Sequence, residues 1–106
     1  MIARLWSARA TAGQVQAYLK HFSAQVAPSL QKFKGYSGHT VFTRDSSGSA
    51  EIWVTTYWQS LQAIEAFAGP DREASVLAPA AAALLLEYDR RVRHYDVAEA
   101  NFPASS

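Results

Sequence analysis

The chain has no cysteine, which excludes disulfides, thiolate catalysis and cysteine-ligated metal centres. Charge is scarce and balanced: ten Lys and Arg oppose nine Asp and Glu, leaving +1 at pH 7. Such a chain has no general drive toward nucleic acid or an anionic membrane surface, and neither is expected as a partner. Long apolar runs are missing too. The longest, Val76 to Leu86, has eleven residues and contains Pro79, too short for a bilayer that requires about 20. No Gly-x-Ser-x-Gly, phosphate loop or dinucleotide fingerprint occurs. His21, His39 and His94 lack metal-ligand spacing, so no metal site is expected. The nine carboxylates form no evident acid/base pair.

What the chain does have is aromatic and aliphatic bulk. Three Trp, five Tyr and five Phe stand in 106 residues that are 49% hydrophobic and only 18% charged. That is one globular domain, placed at residues 1–99, with a loose tail over residues 100–106. It also carries more apolar surface than a small monomer hides, so a partner surface is expected. Ile2-Ala3-Arg4-Leu5-Trp6 reads as a strand rather than as a signal peptide. A soluble, cytoplasmic protein is the expectation.

Along the chain, Ile2 to Arg9 forms the first strand. Thr11-Ala12-Gly13-Gln14 has capping-box form, and Val15, Leu19, Phe22, Val26, Leu30 and Phe33 follow at helical steps. The helix is expected to run to about Ala27, with a kink or new turn at Pro28 and a left-handed cap at Gly35. Tyr36 to Arg44 and Ala50 to Trp58 read as strands joined through Asp45 to Ser49. Ser60 caps a second helix that turns Leu61, Ile64 and Phe67 inward and stops at Gly69-Pro70. An Ala/Leu helix is expected over Val76 to Glu87, restarting at Pro79, and a last strand over Arg90 to Ala98.

The order β-α-β-β-α-β is the ferredoxin-like α+β arrangement, a four-stranded antiparallel sheet with its helices on one face. The other face is bare in a monomer. Leu5, Val41, Trp53, Tyr57 and Tyr95 are expected to share it, a set whose burial is worth on the order of 10 kcal/mol. A two-fold homodimer, sheet against sheet, is the economical way to cover that face.

Several segments carry a family resemblance: the strand-Trp-x-Ser-helix junction at Trp58 and Ser60, Ala66-Phe67-Ala68-Gly69-Pro70-Asp71, Gly35-Tyr36-x-Gly38, and the terminal His94-Tyr95. Together they resemble the antibiotic biosynthesis monooxygenase family of dimeric α/β barrels, over Ile2 to about Glu99. The resemblance implies a pocket between sheet and helices and oxidation of a small aromatic, phenol- or anthrone-like substrate without metal, flavin or other cofactor. A deprotonated electron-rich phenol is itself an electron donor to dioxygen, so the protein need only orient the ring, exclude water and stabilise the anion. A non-catalytic small-molecule-binding or stress-related dimer on the same scaffold is the alternative. Haem-degrading relatives carry a first-strand Asn, which falls on Trp6 here, and a later-helix His, which Val76 to Leu86 lacks. Haem breakdown is therefore not expected.

Within that frame Trp58, Trp6 and Phe67 are the expected substrate-binding residues. Trp58 offers an indole N–H, and Trp6 would narrow the pocket to an aromatic slot. His39, His94 and Arg4 are the expected catalytic residues. Imidazole titrates near neutral pH, and Arg4, on the parity of Trp6, would point a cation at a phenolate. His21 lies off the expected apolar stripe and reads as solvated.

Overall fold

The computed structural model describes residues 1–103. Of the expected tail, residues 104–106 lie outside the described residues, while Asn101 to Pro103 are exposed and without regular structure. Strand β1 (Ile2–Thr11) is central. It pairs antiparallel along its whole length with β3 (Ser49–Trp58), which in turn pairs with β2 (Tyr36–Ser46). The opposite edge of β1 receives β4 (Glu87–Tyr88) and β5 (Arg93–Asp96). The resulting order, β2-β3-β1 followed by β4 and β5, is the expected ferredoxin-like sheet.

The last strand differs from expectation, being two short pieces rather than one from Arg90 to Ala98. Asp89 is the cause. Its carboxylate accepts from the Ser7 backbone N–H and the Ser7 hydroxyl, both at 2.9 Å, taking a donor that a continuous ladder would use. The chain then leaves β1, and Val92 donates to the Glu73 carbonyl at 2.8 Å. The β2–β3 hairpin is tighter than expected. Both strands extend into the small-residue run, leaving a two-residue turn, Ser47-Gly48, with φ of +44° and +83°. Two positive φ values suit the right-handed twist of the strands.

The first helical segment also departs from a plain α-helix. Thr11 makes no side-chain cap bond, because Ala12–Gln14 is a 3₁₀ turn in which the box geometry does not arise. Helix α1 (Val15–His21) passes through a π turn (Phe22–Val26) into α2 (Ala27–Leu30), whose first turn holds Pro28. The wide turn ends where Ala27 N–H donates to the Phe22 carbonyl. Proline is thus accommodated in a first turn and does not break the segment. Tyr18 is fully buried and Leu19 only partly, a one-residue shift of the stripe at that turn, while Val15, Phe22 and Leu30 are buried as expected.

In α3 (Leu61–Ala68) the Ser60 hydroxyl accepts from Ala63 N–H at 3.1 Å, the expected cap, worth about 1 kcal/mol. Ile64 is completely buried and Phe67 half-buried, while Leu61 at the first turn is exposed, against expectation. The Ala/Leu segment forms only the short α4 (Pro79–Ala82). Pro79 holds Ala78 extended, and Leu86 N–H is captured by the Arg9 carbonyl at 2.7 Å, so the helix cannot run on to Glu87.

The core lies between helices and sheet, with Trp58, Leu30, Ile52 and Ile64 fully enclosed. The opposite sheet face carries Leu5, Trp53, Tyr57, Phe42 and Tyr95 without cover. Val41, expected there, is on the core side instead, paired with Val54. The bulge between Tyr36 and Gly38 shifts the register of β2 by one residue, which exchanges its two faces and puts Phe42 outward. Among the described residues, no helix is long and apolar enough to cross a membrane.

Candidate active site

Residues paired across antiparallel strands project to one face. The register places His94 opposite Arg4, Arg4 opposite Thr56, and Thr56 opposite His39. Three side chains expected to be catalytic therefore lie in one row across the helix-covered face. His39 belongs to that face only because of the bulge at Gly38. The next row is Trp6, Val54 and Val41.

A cavity of about 80 Å³ opens between this face and the helices. Arg4, Trp6, Thr56, His21, Phe22 and Phe67 are among its walls, and the Val76–Ala78 segment forms part of its rim. Arg4 is 4% exposed. Its guanidinium donates to the carbonyl of Arg72 and, at 2.7 Å, to that of Ala74, and one nitrogen lies 3.0 Å from His94 Nε2. Its central carbon stands 5.5 Å from the Phe67 ring centre. No carboxylate among the described residues reaches it. Burial lowers its pKa to about 10, so at neutral pH it remains a buried cation without an anion.

A guanidinium only donates, so His94 Nε2 accepts and the imidazole is neutral with its proton on Nδ1. Burial, then the charge of Arg4, lowers the His94 pKa in agreement. The native state consequently binds fewer protons than the unfolded chain as pH falls through the ordinary histidine value of about 6.5. Stability is expected to be fully present above that value and to decline below it. Urea midpoints at pH 7.5 and pH 5 would show the loss, and His94→Gln should reduce it.

Of the expected binding residues, Trp6 and Phe67 line the cavity and Trp58 does not. The Trp58 ring is wholly buried behind Phe67, stacked at 5.3 Å, and its N–H donates to the Thr56 hydroxyl at 2.9 Å. It thereby holds Thr56, whose own proton remains to donate. The Trp6 N–H is committed to the Asp89 carbonyl at 3.0 Å. His39 is not on the cavity wall. It bonds the Tyr36 hydroxyl through Nδ1 and meets Phe22 edge-on at 4.9 Å.

Three polar wall residues, Thr56, His21 and Tyr18, were not foreseen. Thr56 shares strand parity with Val54 and Trp58, a signal that was there to be read. His21, expected in solvent, is partly buried and has an enclosed Nε2. It sits one helical turn from buried Tyr18 and next to buried Phe22, so the shifted stripe carries it inward. Burial also pushes the Tyr18 hydroxyl well above its ordinary pKa, which keeps it neutral. Among the described residues no three His, Asp or Glu side chains are grouped to hold a metal ion.

Residues 1–72 match a family model described as antibiotic biosynthesis monooxygenase. No curated protein matches the chain. Solved structures similar to it include the haem degrader MhuD of Mycobacterium tuberculosis with two haems bound (TM-score 0.67, 19% identity, 96% of this chain and 100% of that one). Another is the ActVA-Orf6 monooxygenase of Streptomyces coelicolor in complex with nanaomycin D (0.67, 14%, 97% and 92%). A third is SnoaB, a cofactor-independent oxygenase from Streptomyces nogalater (0.52, 16%, 97% and 98%). At these identities the likeness establishes the fold.

Proposed function

Because the chain belongs to the antibiotic biosynthesis monooxygenase family, we propose that it is a cofactor-independent monooxygenase of a small phenol held as its anion against Arg4. One observation carries this reading: a buried guanidinium without a carboxylate, on the wall of an aromatic-lined cavity. A desolvated cation is costly until an anion joins it, and a phenolate is the anion that such walls accept.

The chemistry balances without another reductant. A phenol with a free para carbon plus dioxygen gives a para-quinone plus water. One oxygen atom enters the ring, the C–H bond is replaced by C=O, and the substrate supplies all four electrons. Arg4 stabilises the phenolate that gives up the first of them. His94, accepting from Arg4, positions that guanidinium. His39 stands at the far end of the row, beyond Thr56 and behind Phe22, where it holds the wall.

Size selects the ligand. Cavities that take up benzene measure about 150 Å³, so the 80 Å³ here suits one ring that extends into the mouth, not a fused anthrone. Haem does not fit. Its pocket would need several hundred Å³, and Val76 to Leu86 has no histidine.

Oxygen uptake with substituted phenols in the presence of chelator tests the reading. Saturable uptake supports it. Binding without uptake above the uncatalysed rate favours the non-catalytic binding protein instead.

The homodimer belongs to the same proposal, formed through the sheet face that carries Leu5, Trp53, Tyr57, Phe42 and Tyr95. Phe42 is 58% exposed in the single chain, so Phe42→Glu should leave the fold intact. Sedimentation is expected to show a dimer for the parent and a monomer for this variant. A parent that sediments as a monomer at all concentrations sinks the dimer.

A further inference from the structure

His21 presents an enclosed Nε2 that has no hydrogen-bond partner among the described residues. It projects from α1 onto the wall of the cavity whose sheet side holds Arg4 and Thr56. Buried polar atoms are nearly always paired, and one left over beside a cavity marks where a ligand atom belongs. Nothing in the reading above uses it: Arg4 accounts for one oxygen of the ligand, and apart from the Thr56 and Tyr18 hydroxyls the remaining walls are aromatic or aliphatic.

We infer that His21 is a specificity-determining contact and that the ligand carries a second oxygen, a hydroxyl, for His21 Nε2. Its substrate class is then a dihydroxylated single ring with a free carbon para to the oxygen ionised against Arg4, the other oxygen kept as a neutral hydroxyl. A hydroxyl is favoured over a carbonyl or an ether because it both donates and accepts. It therefore satisfies Nε2 in either neutral tautomer of the imidazole, whereas a carbonyl or ether satisfies one. A carboxylate in that place is disfavoured, since the His21 side of the cavity offers no Lys or Arg to meet it. The inference rests on the phenol-binding reading and narrows it.

Affinities of phenol, resorcinol and catechol, measured anaerobically by calorimetry, separate the two. The second hydroxyl should improve binding to the parent protein about tenfold, the usual gain from pairing a buried polar atom. His21→Phe should bind all three probes alike, and a parent-like circular dichroism spectrum and melting temperature would show that it is folded. His21→Gln, with an amide that both donates and accepts, should recover part of the preference. Equal affinities in the parent, or a preference that survives in His21→Phe, overturn the inference while leaving phenol binding in place. If the parent binds none of the probes, both the inference and the reading beneath it fall.

Discussion

Replacing Arg4 by methionine is expected to weaken binding of phenols on the order of 100-fold and to abolish oxygen uptake, because a desolvated charge pair is typically worth 2–5 kcal/mol. The guanidinium is the cationic group on the cavity wall other than histidine, and no carboxylate among the described residues competes for it. Ionisation should follow the same logic. A phenol bound to the parent protein should titrate roughly 1–3 pH units below its value in water, and one bound to Arg4→Met should not. Phenolate absorbance reads this directly. Arg4→Lys keeps the charge but loses the forked donors that hold the Arg72 and Ala74 carbonyls, so about a tenfold loss is expected. Methionine removes about 1 kcal/mol per lost carbonyl bond while relieving the desolvation of a buried cation, so the fold should survive. If Arg4→Met binds and ionises phenols like the parent, the anion site is elsewhere.

Gly35→Ala is expected to be the most damaging small substitution, at about 2–5 kcal/mol. Two independent effects combine. The glycine has φ of +90°, a conformation that side chains resist, and an added Cβ would lie 2.7 Å from the Ala63 Cβ on α3. Neither backbone yields easily. Gln59 N–H donates to the Gly35 carbonyl at 2.8 Å, and Ala63 N–H is fixed by the Ser60 cap. For a domain of this size the melting temperature should fall on the order of 10–20 °C. The double variant Gly35→Ala with Ala63→Gly should regain the steric part and not the conformational part. Full recovery would mean that the positive φ costs nothing.

Much of this arrangement was legible along the chain. Alternation in Ile52 to Trp58, the Ser60 cap and the Gly69 stop are local signals, and local backbone chemistry answered each. The first helix, by contrast, ends at Leu30 on Gln31 and not on the expected Gly35 cap. Where competition came from a distant segment, the reading failed. The last strand broke because the Asp89 carboxylate reached Ser7, and the Ala/Leu helix stopped because Arg9 captured Leu86. Neither pairing leaves a trace in sequence spacing.

The site divides the same way. Arg4, Trp6 and Phe67 could be named from parity and family motif, and all three line the cavity. Thr56 shares the parity of Val54 and Trp58, His21 carries no such signal, and Trp58, the strongest motif residue, went behind the wall. Side-chain periodicity determined which elements form and that one sheet face meets the helices. Only tertiary structure decided which residues share the cavity. A single bulge at Gly38 exchanges the faces of β2 and acts on every side chain beyond it in that strand.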